Sequence, residues 1–522
     1  MNGVPRRQLL LGGAALTCGA ALGPLPIAAA RGGHARAGGL AGTMHRWARD
    51  TWKSLVAMTD EKTGLTADNI EGPLANPVRS GYTSPTNIGG YLWSAVVARE
   101  LGLISRSECS RRIGQTLHTL QRMSHHEPSG MFYNWYDERT AKPLTRWPTD
   151  GNPVAPFLSS VDNGWLAAAL MVVERADRVN AGRAARILAR MEFAAYYNPE
   201  VRPGLAAGLL RGGFWDERPA APQQYVEGNH LGRGPNVFYT PNHYDTTVSE
   251  TRIASYIAIA RRQVPAAHYF ATWRTFPEDC GWSWQEQRPV GETRRYLGID
   301  VFEGAYTYRG MHIVPGWGGS MFEALMPAVF VPEESWAPRS WGVNHRLTVR
   351  AHREHGLEEA GYGYWGFSPA SNPAGGYSEY GVDAIRLNPD GYPSDLERTP
   401  YDAGYAGCRE GLHPSPTWGD GVVTPHASFL AMQYEQGHAY RNLVRIEREL
   451  GAYGEGGFYD AVATRSGTIA KRYLSLDQAM IMGALGNVMA DQVVRRAFVN
   501  SDVRRRIKPL IGQERFSSGL VG

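Results

Sequence analysis

Several carboxylates in this chain are embedded among tryptophan, tyrosine, glycine and asparagine, at places that read as loops or first helical turns. Asp162 lies in Ser159-Ser160-Val161-Asp162-Asn163-Gly164-Trp165-Leu166, and Asp245 and Glu250 lie in Asn242-His243-Tyr244-Asp245-Thr246-Thr247-Val248-Ser249-Glu250-Thr251-Arg252. Glu323 follows Gly316-Trp317-Gly318-Gly319-Ser320, and Asp420 sits in Thr417-Trp418-Gly419-Asp420-Gly421. Such surroundings suit sugars, because aromatic faces stack on the apolar faces of the rings while carboxylates and amides take the hydroxyls. Cleaving a glycosidic bond needs two carboxyl groups, one protonated to help the leaving oxygen depart and one ionised to activate water or attack the sugar.

Each candidate also has a plain structural reading. Asp162 can cap a helix that starts at the apolar run from Leu166, and Thr247-x-x-Glu250 can form a capping box, with Asp245 as another cap. Glu323, a charge in an apolar first turn, must be paired, hydrogen bonded or functional. Asp420 can be a solvated turn residue. Trp165, Trp317 and Trp365 are expected as stacking platforms, with core packing the competing role for each. Asn163, Tyr244 and Arg252 are read with them as substrate-binding residues.

Other chemistries lack their motifs. The chain has no G-x-G-x-x-G after a strand, no G-x-x-x-x-G-K-[ST], no H-E-x-x-H and no G-x-S-x-G, so dinucleotide, nucleotide, zinc-protease and serine-hydrolase readings lose support. His352-x-x-His355 would place two imidazoles on one helix face without a third ligand nearby, and His125-His126-Glu127 reads as a surface turn. No metal and no cofactor is expected.

These residues must be positioned by a sizeable fold. The chain has 522 residues, 43% of them hydrophobic, with 54 Lys and Arg against 50 Asp and Glu, which disfavours nucleic acid and anionic lipid as partners. Arg6 and Arg7 precede an apolar run from Leu9 to Ala30 that ends in Ala28-Ala29-Ala30, the pattern of an export signal over 1–30. The paired arginines fit twin-arginine export, with Sec export or lipidation at Cys18 as alternatives. A secreted or periplasmic location is therefore expected, with 31–44 a flexible lead-in, 45–510 one domain and 511–522 a tail. No later stretch approaches the roughly 18 apolar residues of a membrane span. Cys109, Cys280 and Cys408 allow one bridge but no disulfide framework. A monomer is expected.

Helical patterns cover roughly 44–58, 160–178, 181–197, 246–262, 336–356, 423–434, 438–450 and 475–498. Ser84-Pro85 and Ser105-x-x-Glu108 mark two further helix starts. Between helices a phrase recurs in degenerate form, as Gly130-Met131-Phe132-Tyr133-Asn134, Gly213-Phe214-Trp215-Asp216 and Gly457-Phe458-Tyr459-Asp460, each reading as a short strand after a turn. Helix pairs followed by aromatic loops predict a mainly α protein, an (α/α)6 toroid with its strand-like loops gathered at one rim.

Several of these phrases, in this order, resemble the glycoamylase-like domain family over about residues 45–495. They are Thr83-Ser84-Pro85-Thr86-Asn87-Ile88-Gly89, Gly130 to Asp137, Ser160 to Leu166, Tyr244 to Ala260, Ser320 to Pro327, Trp365-Gly366-Phe367-Ser368 and Gly457 to Asp460. The family includes bacterial endo-β-1,2-glucanases and the glucan-trimming domain of cyclic β-1,2-glucan synthases. The resemblance implies an (α/α)6 toroid that hydrolyses a glucan, with Glu250, from Tyr-Asp-x-x-x-Ser-Glu, as the acid acting through a substrate hydroxyl. The synthase-type domains look to carry a carboxylate nucleophile in a Trp-Gly-x-Ser-Glu phrase, whereas this chain reads Trp365-Gly366-Phe367-Ser368-Pro369. An inverting reaction is then expected, with Asp420 as base and Asp402 or Glu410 as substitutes, and with Asp162, Asp245 and Glu323 binding sugar hydroxyls or orienting water. Hydrolysis of another extracellular or cell-wall polysaccharide, an inactive glycan-binding protein and a polysaccharide lyase are the alternatives.

Overall fold

The computed structural model describes residues 33–202, 204–205, 207–281, 285, 287–387, 408 and 418–521. Its helices, in chain order, are α1 (Gly33–Met58), α2 (Pro85–Glu100), α3 (Arg106–Leu120), α4 (Ser160–Ala176), α5 (Ala181–Arg190), α6 (Arg252–Ala260) and α7 (His268–Ala271). They continue with α8 (Met321–Leu325), α9 (Glu333–Trp336), α10 (Trp341–Glu354), α11 (Pro425–Glu449), α12 (Ser475–Met489), α13 (Val493–Phe498) and α14 (Ser501–Gly512).

Where capping residues are present, the helices begin where the sequence places them. Ser84 accepts a hydrogen bond from the Asn87 amide with Pro85 at the first helical position, and Ser105 accepts one from the Glu108 amide. Elsewhere the boundaries move. Residues 246–251 form bridges at Thr246 and Val248 and then a turn, not the first turns of α6, and the two helices expected over 423–450 are one element bent at non-helical Glu435. The segment expected over 475–498 is broken between α12 and α13 by Asp491 and Gln492, both at positive φ.

The fold is mixed rather than mainly helical, with helix making up 42%. The aromatic phrases pair as strands of two or three residues, Met131–Phe132, Gly213–Trp215 and Gly457–Phe458 among them, and the sheets they join have two to four strands. The backbone amides of loops that cross a large buried core need partners, and short ladders supply them.

The central helices pack in succession: α2 on α4 and on α12, α4 on α6, α12 on α11, and α11 on α8. Arg252 at the start of α6 joins it to α8 by donating to the carbonyls of Glu323 and Ala324. Glycine permits the close approaches. A Cβ on Gly90 would lie 2.8 Å from the Ala479 methyl, and one on Gly164 would lie 2.9 Å from that of Ala254. Trp93 fills the space between α2, α4 and α12, edge-on to Trp165 and Phe330, with its indole N–H on the Ala479 carbonyl.

Both chain ends differ from expectation. α1 is already helical from Gly33, inside the stretch read as a flexible lead-in. The expected tail over 511–522 is part of the fold: Glu514 is buried against Arg274 and Tyr269, Phe516 packs edge-on to Trp341, and Gly519–Leu520 pairs with Met311–Ile313. Buried ion pairing and strand pairing hold a segment whose composition reads as polar. Cys280 and Cys408 form a disulfide with a Cα–Cα distance of 5.2 Å, and Cys109 is a buried thiol. Among the described residues no helix is long and apolar enough to cross a membrane.

Candidate active site

The starts of α2, α4, α8 and α12, together with the turn before α6, converge on one narrow cleft. They contribute Thr86, Val161 and Trp165, Phe322, Asp477 and Glu250, and the cleft is completed by Pro369 and Tyr377 from the hairpin side. The N-terminal ends of helices carry free amides and partial positive charge, which favours carboxylates at this end of the fold.

Glu250 is 2% exposed. The Ser249 hydroxyl donates to its Oε2 at 3.3 Å, and its buried Oε1 has no hydrogen-bond partner among the described residues. The capping box considered for Thr247 and Glu250 does not form. Thr247 bonds to the Thr272 hydroxyl instead, and α6 starts after Thr251 without a side-chain cap. Burial, reinforced by the nearby charge of Glu323, pushes the Glu250 carboxyl up to about 7. A carboxyl that keeps its proton near neutrality and retains an unused oxygen in a cleft is equipped to donate a proton.

Asp477 is the second carboxylate of the cleft, a residue absent from the candidates above. It stands in the first turn of α12, buried, within Ser475-Leu476-Asp477-Gln478. Like Glu323, it is a charge inside an apolar first turn, and that is its signal in the sequence. Behind Asp477, His426 of α11 and Asp460 bring one ligating atom each to within 4.8 Å of one another and of the Asp477 carboxylate, all three buried. The Ser371 amide donates to Asp460 Oδ2 at 2.6 Å.

The remaining expected residues divide. Trp165 walls the cleft, and its buried indole nitrogen has no partner among the described residues. Asp162 stands directly behind, accepting from the cleft residue Thr86 at 2.5 Å. The cap of α4 is Ser159, so Asp162 is not needed in that role. Asp245 does not line the cleft; burial pushes its carboxyl up to about 6, with Arg202 opposing. Tyr244 and Arg252 line a separate small cavity beside Thr247 and Tyr269.

Arg252, Asn163, Glu323 and Trp365 are held by the protein itself, and this corrects their reading as sugar contacts. All five Arg252 donors are used, on Glu333 twice and on the carbonyls of Ser249, Glu323 and Ala324, with the guanidinium 4.4 Å from the Trp341 ring centre. Asn163 exchanges hydrogen bonds with the Phe132 backbone and donates to Ser159 and Tyr196. Glu323 closes a capping box with Ser320 and accepts from the Gly318 amide. Its charge nevertheless acts on Glu250. Trp365 is 1% exposed in the core, and Trp317 is half-buried against that core without lining the cleft.

Asp420, expected as the base, is also elsewhere. Its carboxylate accepts from the Ser466 amide at 2.7 Å and the Ser466 hydroxyl at 2.6 Å, which ties the strand Val422–Val423 to the hairpin of Ala461–Ala463 and Ile469–Ala470. Asp402 and Glu410 lie outside the described residues. His352 accepts from the Phe367 amide and His355 bonds Glu359, so the two imidazoles are separately engaged. His126, read as a surface turn, is buried on a strand against Phe214 and His230.

Comparison with known proteins gives the following. Residues 242–502 match the profile of the Glycoamylase family, described as "Putative glucoamylase", and residues 46–200 match a domain of unknown function, DUF3131. The chain is 24% identical over 575 residues to the cyclic β-(1,2)-glucan synthase NdvB of Rhizobium meliloti (strain 1021), covering 87% of this chain and 18% of the synthase. The chain thus spans less than a fifth of that relative's length. Among solved structures, an endo-β-1,2-glucanase from Chitinophaga pinensis, in complex with sophorotriose and glucose, is similar at a TM-score of 0.60 and 15% identity, over 90% of this chain and 98% of that one. A β-1,2-glucanase from Parabacteroides distasonis is similar at 0.61 and 15%, over 91% and 60%. These likenesses establish a shared fold.

Proposed function

We propose a glycan-hydrolysing reaction for this chain, which belongs to the glycoamylase family: cleavage within a β-1,2-glucan, with inversion, by an exported protein. The observation that carries the reading is the pairing, in one cleft, of a proton-holding Glu250 with a second carboxylate, Asp477. The succession α2, α4, α6, α8, α11, α12 and back to α2 is read as the inner ring of an (α/α)6 toroid, with the cleft at its mouth.

In the proposed mechanism Glu250 delivers its proton toward the glycosidic oxygen, directly or through a sugar hydroxyl. Asp477 takes a proton from the attacking water as it adds to the anomeric carbon from the opposite face. The glycosidic bond breaks, the leaving sugar keeps the proton from Glu250, and the released reducing end carries the inverted configuration. Trp165 forms an apolar wall, and the buried Thr86, whose hydroxyl donates to Asp162, lines the cleft beside it.

The proline at position 369 supports inversion. Where the resembling synthase-type phrase has a nucleophilic carboxylate, this chain places Pro369, and Pro369 lines the cleft. A ring that cannot form a glycosyl ester leaves water as the nucleophile. The β-1,2 linkage rests on the relatives, which are a β-1,2-glucan synthase and β-1,2-glucanases.

The reading is tested by incubating the protein with linear β-1,2-glucan, β-1,3-glucan, β-1,4-glucan and α-1,4-glucan and following new reducing ends. Release of short oligosaccharides from the β-1,2 polymer alone is expected. Cleavage of a different polymer would replace the substrate, and binding of β-1,2-glucan without cleavage would replace hydrolysis by glycan binding.

A further inference from the structure

At the far end of α4 from the cleft, the C-terminal end of that helix meets α9, α13 and α14 around a surface cavity of about 400 Å3. Four arginines line it, Arg175 of α4, Arg495 and Arg496 of α13 and Arg504 of α14, beside Trp336 and Pro332. The volume is in the range of small-molecule sites.

Helix capping accounts for part of this charge. Arg495 pairs with Glu334 at 2.6 Å and donates to the Ala328 carbonyl, and Arg496 pairs with Asp491. Among the described residues Arg175 donates only to a carbonyl, that of Arg496, at 3.4 Å. Among the described residues neither Arg175 nor Arg504 has an acidic partner, so two of the four guanidinium charges are not neutralised. Arg504 stands one turn into α14, whose first-turn amides Asp502 and Val503 are capped by Asn500. That is the positive end of the helix dipole, where Asp502 in the first turn supplies an anion that pairs with Arg505 rather than with Arg504. Cations from three helices around one cavity, two of them without an acidic partner among the described residues, together with an aromatic wall, make an anion site.

We infer that this cavity binds a doubly charged oxyanion of the phosphate type, a diphosphate or phosphate ester, with the forks of Arg175 and Arg504 taking its oxygens and Trp336 and Pro332 flanking the group that carries it. A dianion matches the two open charges, and the planar fork of arginine matches tetrahedral phosphate bidentately. Fourteen residues of α4, from Val161 in the cleft to Arg175, separate the two sites by about 20 Å at 1.5 Å per residue. Occupancy would leave the cleft open, so the cavity serves anchoring or regulation and does not depend on the reaction proposed above.

The test is isothermal titration of the full chain with inorganic pyrophosphate at low and at physiological salt, with glucose as the uncharged control. Saturable binding of one equivalent is expected, weakening as salt rises, and about tenfold weaker or more in Arg175→Gln/Arg504→Gln. Both side chains are exposed, so the variant should keep its melting temperature and its glucan hydrolysis. Should the variant lose its fold, Arg504→Lys replaces it, since it keeps the charge and loses the fork and should bind several-fold more weakly. Absence of saturable binding at low salt, or equal binding by wild type and variant, overturns the assignment.

Discussion

Replacing Glu250 by glutamine separates a catalytic role from a structural one. The wild-type carboxyl, pushed up to about 7, is about nine-tenths protonated at pH 6, where an ordinary glutamic acid would be about one-thirtieth protonated. Its loss as general acid should lower kcat by about 10²–10⁴. The stability consequence has the opposite sign. A carboxyl whose folded value is raised contributes stability that is fully present below 4.5 and is lost as the pH rises through about 7. At full ionisation that difference corresponds to about 3 kcal/mol, an upper figure because the cleft can admit water. Glutamine is neutral throughout, so Glu250→Gln should melt above the wild type at pH 8 and level with it near pH 4. Reducing-end kinetics on β-1,2-glucan and calorimetric melting at both pH values make the assay. A variant with kcat within about tenfold of wild type, or one less stable at every pH by the roughly 1 kcal/mol of a lost cap, would refute the reasoning.

Asp477→Asn should lower kcat by a comparable factor of about 10²–10⁴, whereas Asp420→Asn should leave kcat within about threefold and instead lower the melting temperature through the weakened Ser466 contacts, a cost of about 1 kcal/mol. Paired kinetics and melting of the two variants check the reassignment. The pH profile of the wild type should fall on the alkaline side near 7, because Glu250 must be protonated; Glu323→Gln, which removes a neighbouring negative charge, should move that limb to lower pH. Away from the cleft, burial and the charge of Glu514, opposed by Arg274, hold the Glu303 carboxyl above the usual carboxylate range, so wild-type stability should decline as the pH rises above about 4.5, and Glu303→Gln should melt above wild type at pH 9 with the advantage vanishing near pH 4.

The sequence reads well where one local signal suffices. The Ser84-Pro85 and Ser105 caps locate α2 and α3 because a cap bonds within three residues of itself. Glu250, which its long phrase marks out, lines the cleft, and the three aromatic phrases form short strands that follow turns. What the sequence cannot show is whether a polar side chain is already consumed. Four of the five Arg252 hydrogen bonds go to residues 71 to 81 positions away, and the partners of Asn163 include Phe132 and Tyr196. Both look free in the sequence and are saturated in the fold. Asp420 fails for the same reason, through Ser466. Asp477 does not stand out in the sequence because a single acid in an apolar first turn resembles ordinary helix-end chemistry until α2, α4 and α8 and the turn before α6 come to the same place. The C-terminal segment illustrates a related limit, since Glu514 and Leu520 are fixed by Arg274 and Met311 more than 200 residues earlier.

The account rests on two carboxyl groups of one cleft acting on opposite faces of a sugar, with water rather than a protein nucleophile between them. The anomeric form of the first products, followed by proton NMR during hydrolysis of linear β-1,2-glucan and before mutarotation, tests this most directly. New reducing ends should appear in the α form and decay to the equilibrium mixture; reducing ends that appear first in the β form would show retention and exclude the inverting reaction.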